Sequence, residues 1–406
     1  MINIEDYAPI VGSGDLEELR LLAGKMDGKT IQTINSTAVG GGVAEILTRM
    51  VPLLNQLGVK TRWDVIKGDD RFFAITKGIH NALHGAKIDL TADDMRYFQE
   101  INDNNAKQMD LSGDFVFIHD PQPIGLIKHR KNHRDHWVWR GHVDFSKPHP
   151  QVWNFLAEYV NLYETAVFSA PSFARELAIT QVLIAPSIDP LADKNKDLSE
   201  ETIDEVFRRF KIDRSRPIIT QISRFDYLKD PVGVIKAYKK VKKYINVQLV
   251  LAGGGATDDP EGPRIMEEVQ NEAASDKDIF ILFLPPASDI EINALQRGST
   301  VVLQKSLKEG FGLTVSEALW KAKPVIASAV GGIPLQIAHK YSGILTHSID
   351  GTAYWIKQLL NEPEYAASLG KNGREHIKNN FLITRHIKDY LIVFLSLLHK
   401  GDLVHL

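Results

Sequence analysis

The chain has no cysteine among its 406 residues, which excludes disulfides, thiolate metal sites and a cysteine nucleophile while leaving the compartment open. It has little net charge, −3, so no general attraction to nucleic acid or to an anionic membrane is implied. It has no long apolar run: Tyr390-Leu391-Ile392-Val393-Phe394-Leu395 is far too short to span a bilayer. The first residues, Met1-Ile2-Asn3-Ile4-Glu5-Asp6, lack the basic and apolar regions of a signal peptide. A soluble, cytoplasmic protein with neither nucleic-acid nor membrane partners is the expectation. G-x-G-x-x-G, internal repeats and low-complexity segments are also missing. What remains, 44% hydrophobic and 24% charged residues, is the profile of an ordinary enzyme, and the length calls for two domains rather than one core.

Short apolar runs alternate with helical stripes along the whole chain. Residues 1 to about 30 read as an irregular N-terminal arm. Strands are expected at Thr30–Asn35, Thr61–Ile66, Phe115–Ile118, Trp137–Trp139, Ala166–Ser169 and Val182–Ala185, with a mostly helical region from Arg71 to Met109. Pro186-Ser187-Ile188-Asp189-Pro190 breaks the pattern, and the polar stretch Asp193–Asp197 follows, so the linker is placed here. The alternation then resumes, with strands at Pro217–Ile222, Val247–Leu251, Ile279–Phe283, Val301–Gln304 and Val325–Ala329, and Gly253-Gly254-Gly255 as a turn. Such alternation implies parallel sheets with right-handed crossovers, an α/β fold. The expected division is a first Rossmann-like domain over 1–188, a second over 189–380, and a last helix in 381–406 that packs back on the first.

The chemistry concentrates at strand ends. Lys308-Glu309-Gly310-Phe311-Gly312-Leu313-Thr314-Val315-Ser316-Glu317 joins a buried strand to a helix through a glycine-rich turn. Glycines at 310 and 312 allow close backbone approach, and the first helical amides point at whatever the turn holds, which suits a phosphate. Two carboxylates, Glu309 and Glu317, bracket the turn and suit sugar or ribose hydroxyls. A plainer reading also fits: Thr314-x-x-Glu317 is the spacing of a capping box, and Glu309 is then a loop charge. Arg224 and Lys229 lie five residues apart in another turn and suit a single anion, one as a fork and one as a point charge. Gly40-Gly41-Gly42 opens a third strand–turn–helix unit. His119-Asp120 and Arg140-x-His142-x-Asp144 end two further strands, and by residue type these also fit metal ligands.

Glu309 and Glu317 resemble the E-x7-E element of the retaining GT-B glycosyltransferases of the glycogen-synthase-like group (family 4). The resemblance extends through Glu-Gly-Phe-Gly-Leu-Thr-Val-Ser-Glu-Ala-Leu-Trp. With Val39–Glu45, His119-Asp120-Pro121-Gln122-Pro123, Trp139-Arg140-x-His142-x-Asp144 and Pro186–Pro190, the chain is most similar to the trehalose glycosyltransferring synthases over most of residues 30 to 400. The retaining trehalose phosphorylases look similar over the same motifs and are the alternative. A dinucleotide oxidoreductase and a non-catalytic sugar-nucleotide-binding protein remain as other classes.

The resemblance implies two Rossmann-like domains facing a deep cleft. It assigns the chemistry to Arg224, Lys229, Glu309 and His119, with the cations on the distal phosphate and Glu309 and His119 at the donor sugar. Donor contacts fall to Gly41, Gly42, Gly310, Phe311, Gly312, Leu313, Thr314 and Glu317, the last at the ribose. Asp120, Gln122, Arg140, His142 and Asp144 are expected at the acceptor. Gly141 departs from the family pattern, where a cysteine is expected. The implied reaction moves glucose from UDP-glucose or ADP-glucose to free glucose, giving trehalose and the nucleoside diphosphate. No metal or cofactor is required in the site, magnesium acting only through the nucleotide, and a homodimer is compatible with the sequence.

Overall fold

In the computed structural model, which describes residues 2–39, 41–132, 134–254 and 262–399, the chain passes twice between two units. The first holds the chain up to Ser187 and again from Ile383; the second is Ile188–Leu382. Each is built on one parallel sheet of six strands with helices packed around it.

The first sheet consists of β1 (Thr30–Asn35), β2 (Lys60–Val65), β3 (Phe115–His119), β4 (His136–Arg140), β5 (Thr165–Phe168) and β6 (Thr180–Leu183), in the order β2-β1-β3-β4-β5-β6. The central strands β3, β4 and β5 are buried on both faces, which is why they read as unbroken apolar runs. Helices α1 (Ser13–Gly24), α2 (Gly42–Gln56), α3 (Asp70–Leu83), α4 (Ala92–Gln108) and α5 (Pro150–Val160) belong to this unit. The N-terminal segment is helical and not irregular. Asn3 and Asp6 form a capping box, and Leu16, Leu19, Leu22 and Ala23 of α1 form a buried stripe.

In the second unit β7 (Ile218–Ile222), β8 (Gln248–Gly253), β9 (Ile279–Phe283), β10 (Val301–Gln304), β11 (Val325–Ser328) and β12 (Ile344–Thr346) run in the order β12-β11-β10-β7-β8-β9. Strand β12 is an element that the sequence pattern does not announce. The helices are α6 (Glu200–Arg209), α7 (Pro231–Lys242), α8 (Gly262–Ala273), α9 (Asp289–Gly298), α10 (Leu313–Trp320), α11 (Ile349–Asn361) and α12 (Pro363–Asn380). One face of the sheet packs Ile219, Leu249, Leu251, Val301, Leu303 and Ile326 against Val234, Ile235, Tyr238 and Val241 of α7 and Ile356 and Leu359 of α11. Burying each such aliphatic side chain is worth about 1.5–3 kcal/mol.

The last helix, α13 (Ile383–Leu398), belongs to the first unit. Its Phe394 lies 5.0 Å from Phe115 and 5.6 Å from Phe117, and Lys388 donates to Glu18 of α1 at 2.6 Å. The polar stretch Asp193–Asp197 is packed within the second unit, where Asn293 of α9 donates to the carbonyls of Asp193 and Lys196. Among the described residues, no helix is long and apolar enough to cross a membrane. Gly40 and Gly255 lie outside the described residues.

Both sheets have a point where strand order reverses, between β1 and β3 in the first and between β7 and β10 in the second. Open parallel sheets bind ligands beyond the carboxyl ends of the strands at such a point.

Candidate functional site

The turns after β7 and β10 flank the second reversal point, and they are tied to each other. Gln221 of β7 donates to the Lys229 carbonyl at 2.9 Å and accepts the Lys305 amide at 2.9 Å. The Leu307 amide donates to the Leu228 carbonyl at 2.8 Å. Lys229 then donates through Nζ to Glu309 Oε2 at 2.6 Å, an ion pair whose side chains are 18% and 10% exposed. Ser306 Oγ donates to the same carboxylate oxygen at 3.0 Å.

The turn after β7 is shaped by its own aspartates. Asp226 caps the short helix Tyr227–Lys229, and Asp230, at φ 47°, caps α7 by accepting the Gly233 amide at 3.0 Å. A Cβ at Gly233 would lie 2.1 Å from the Asp230 carboxylate, so the cap needs glycine there. Arg224 contacts Asp226 at 3.3 Å and is half exposed. The two cations thus rest on two carboxylates, Arg224 on Asp226 and Lys229 on Glu309.

Beyond Glu309, Gly312 takes φ +81° and is the N-cap of α10, with no side chain capping it. The capping-box reading therefore fails. Thr314 lies inside the helix, and its hydroxyl donates to Gln304 Oε1 at 2.9 Å. Only Gly312 of the glycine pair needs its left-handed freedom; Gly310 instead accepts the Gly332 amide at 3.1 Å. Gly331, outside the sequence motif, approaches so closely that a Cβ would lie 1.6 Å from the Glu309 carbonyl oxygen. Phe311 is buried against Phe381, its carbonyl accepting from Gln336 at 2.5 Å. Leu313 opens α10, and Glu317, 4% exposed, is carried within it. The Val315 amide donates to the Gly312 carbonyl at 2.9 Å, and the Leu313 and Thr314 amides before it open the helix, closely following Glu309 in sequence.

The residues at the reversal point of the first sheet have a different character. His119 ends β3 with both ring nitrogens engaged, Nε2 with Thr33 Oγ1 at 2.7 Å and Nδ1 with His142 Nε2 at 3.0 Å. Burial, and after it the Arg140 charge, pushes His119 down to about 3 and holds His142 well below the usual histidine range. Both rings are neutral at ordinary pH. Asp120, at φ +66°, accepts the His142 amide at 2.8 Å; burial raises its carboxyl to about 6. Arg140 is fully buried, donates to Ser169 Oγ at 3.0 Å, and its basicity is lowered by burial.

Of the other expected acceptor residues, Asp144 accepts the Ser146 amide at 2.7 Å, and the Gln122 carbonyl accepts from Asn102 at 3.1 Å. At Gly141 a Cβ would lie 2.4 Å from the Phe145 ring, so Phe145 fills the space that a side chain at 141 would need. Gly41, at φ +82°, is the N-cap of α2, and Gly42 is its first residue.

Three participants were not read from the sequence: Thr33 of β1, Ser169 after β5, and His386 of α13, whose Nδ1 bonds Ser187 Oγ at 2.8 Å. The available signal was polarity inside buried strands; Gln32, Thr33 and Asn35 of β1 are all buried. Among the described residues, no group of three or more His, Cys, Asp or Glu is arranged to hold a metal ion.

Comparison with known proteins bears on both units. Residues 33–175 match the family model "Trehalose synthase, N-terminal domain", and residues 202–376 match "Glycosyl transferases group 1". The trehalose synthase of Thermococcus litoralis is 44% identical over 96% of this chain and 95% of its own length. The trehalose phosphorylase of Pleurotus pulmonarius is 31% identical over 86% of this chain but only 55% of its own. Among solved structures, an α,α-trehalose-phosphate synthase (UDP-forming) from Burkholderia xenovorans superposes with a TM-score of 0.72 at 14% identity, covering 91% of this chain and all of the other. That likeness establishes the GT-B fold alone.

Proposed function

Because the chain belongs to the trehalose synthase family of GT-B glycosyltransferases, we propose that it is a retaining glucosyltransferase that moves glucose from a nucleoside diphosphate glucose to free glucose, forming trehalose. The observation that carries this reading is the Lys229–Glu309 pair at 2.6 Å, which joins the turns after β7 and β10 beside the start of α10. It supports the reading because a lysine, which suits phosphate, and a carboxylate, which suits sugar hydroxyls, are in contact at the reversal point of one sheet.

The donor glucose is α-linked to phosphate, and trehalose is α,α-1,1-linked, so configuration is kept. A double displacement needs a carboxylate nucleophile on the face opposite the leaving group, and no residue is assigned to it here. We favour attack on the same face as departure. The bond from C1 to the phosphate oxygen breaks, the acceptor hydroxyl oxygen bonds to C1, and its proton passes to the leaving phosphate. Arg224, Lys229 and the amides around Leu313 and Thr314 stabilise the charge that gathers on that phosphate. These groups do the work a divalent metal does elsewhere; magnesium acts only through free nucleotide. Glu309 orients donor hydroxyls and Glu317 the ribose, while Gly41 and Gly42 let backbone approach the pyrophosphate. His119 faces the donor sugar, and Asp120, Gln122, Arg140, His142 and Asp144 form the acceptor side. A neutral histidine suits sugar hydroxyls, because one nitrogen donates and the other accepts; at His119, whose nitrogens are held by Thr33 and His142, a hydrogen bond to the sugar replaces one of these.

The test is incubation of the protein with glucose and, separately, UDP-glucose, ADP-glucose and α-glucose 1-phosphate. Trehalose from a nucleotide sugar is expected. Trehalose from glucose 1-phosphate alone would make the protein a phosphorylase, like its more distant fungal relatives.

A further inference from the structure

The geometry points to Lys305 as the residue that positions Lys229 for the donor phosphates, an inference that rests on the phosphate role given to Lys229 above. Lys305 directly follows β10 and is 7% exposed. It reaches the turn after β7 by two separate routes. Through its backbone, the Lys305 amide donates to Gln221 Oε1 at 2.9 Å, and Gln221 Nε2 donates to the Lys229 carbonyl at 2.9 Å. Through its side chain, the ammonium donates to Asp230 Oδ2, on the residue that follows Lys229. The two routes close a ring around the Lys229–Asp230 peptide, one holding the Lys229 carbonyl and the other the Asp230 side chain.

Asp230 occupies a position that needs holding. It is left-handed, at φ 47° and ψ 52°, and Pro231 directly follows it, which narrows the conformations open to the residue before the ring. Such a backbone persists only where its surroundings over-determine it. Both carboxylate oxygens take part: Oδ1 accepts the Gly233 amide at 3.0 Å, and Oδ2 accepts from Lys305. The side chains of the Lys305–Asp230 pair are 9% and 19% exposed. Removing one partner of a pair so placed leaves the other charge uncompensated. Without the Lys305 ammonium, the Gly233 cap remains, but the turn relaxes to hydrate the Asp230 carboxylate. Lys229 is one peptide away. It keeps Glu309 within reach; what shifts is the backbone from which its side chain extends.

The test is the dissociation constant of UDP and ADP, measured by calorimetry across a salt series for wild type, Lys305→Met, Lys229→Ala, Lys305→Met/Lys229→Ala and Lys305→Met/Asp230→Asn. Lys305→Met cuts the side-chain route and keeps the backbone one. It is expected to weaken binding about fivefold, and its salt dependence to fall toward that of Lys229→Ala. In the Lys229→Ala background it adds nothing, because the residue it positions is gone. Adding Asp230→Asn to Lys305→Met recovers affinity to within about twofold of wild type, since Asn can accept the Gly233 amide and tolerates the left-handed turn without a charge to compensate. If Lys305→Met does not fold, Lys305→Gln is read by the same criteria.

An equal loss in the Lys229→Ala background, or no recovery on adding Asp230→Asn, assigns Lys305 a merely structural role and overturns the inference. Wild type binding neither nucleotide removes the nucleotide-sugar reading itself, and the inference with it. Wild type binding while Lys305→Met binds equally well removes the inference alone.

Discussion

The two reversal points use opposite electrostatics. In the second unit they gather ion pairs: Lys229 with Glu309 at 2.6 Å and a half-exposed Arg224 at 3.3 Å from Asp226. In the first no ion pair is formed: the charged Arg140 is fully buried, and the histidines beside it are neutral, with His119 bonded to Thr33 and His142 and pushed down to about 3. The same sheet geometry thus carries ion pairs where a diphosphate is proposed and neutral histidines beside buried charge where a sugar is. Fold alone does not distinguish the two ends; the side chains beyond the strands do.

The comparison breaks most visibly at Glu309. Glu309→Ala is expected to lower kcat on the order of a hundredfold, about 2.7 kcal/mol of barrier, while nucleoside diphosphate affinity stays within about threefold of wild type. Steady-state kinetics with calorimetry separate the two. Equal loss of nucleotide binding would move Glu309 from the sugar to the phosphates.

Next in size is Lys229→Ala, which removes the cation proposed for the phosphate and breaks its ion pair with Glu309. Nucleoside diphosphate affinity is expected to fall about tenfold or more, and the remaining affinity to depend less on salt than in wild type. Titrations across a salt series check this. Unchanged affinity would mean that the pair merely fastens the two turns.

The neutral end is sharpened by pH. His119, His142 and His386 all titrate below the ordinary histidine value, chiefly because they are buried. Unfolded, each takes a proton as the pH drops through about 6.5; folded, it does not until much lower, so its stabilising contribution is present above about 6.5 and is lost as the pH falls. Asp120, raised to about 6, acts in the opposite direction between its ordinary value and 6, and offsets part of this. The first unit should lose roughly 1 kcal/mol or more for each pH unit below about 6.5. Hydrogen exchange near pH 7 and pH 5 reads this as falling protection in β1, β3 and β4. Equal loss in β7 and β10 would show that the contrast between the ends does not govern acid stability.

The smallest effect is expected at Gly141. Ala there must displace the Phe145 ring, at a cost of about 1–3 kcal/mol and with a modest rise in KM for glucose. Thermal melts and acceptor kinetics check it, and an unaltered melt would show that Phe145 yields freely.

How much of this was legible varies with distance along the chain. The central strands were, because strands buried on both faces read as continuous apolar runs, as in Phe115–Ile118 and Val301–Leu303. The turns before α1 were not, since Pro9, Gly12 and Gly14 cut that stretch into short pieces, whereas Leu16, Leu19 and Leu22 of α1 do stand at helical spacing in the sequence. Strand β12, three residues long, falls below any period. In the site, Glu309, Glu317, Arg224 and Lys229 stood out by spacing within two turns. Their pairing, 80 residues apart, needed the strand order β10-β7. Partners such as Ser187 and His386, 199 residues apart, carry no local signal.

The central claim, that the charged end takes the diphosphate, is tested most directly by hydrogen exchange of the full chain with and without UDP or ADP. Protection is expected in the turn over residues 222–230 and in residues 304–320, which hold Lys229, Glu309 and the start of α10. Binding of nucleotide that leaves both segments unprotected would contradict the account.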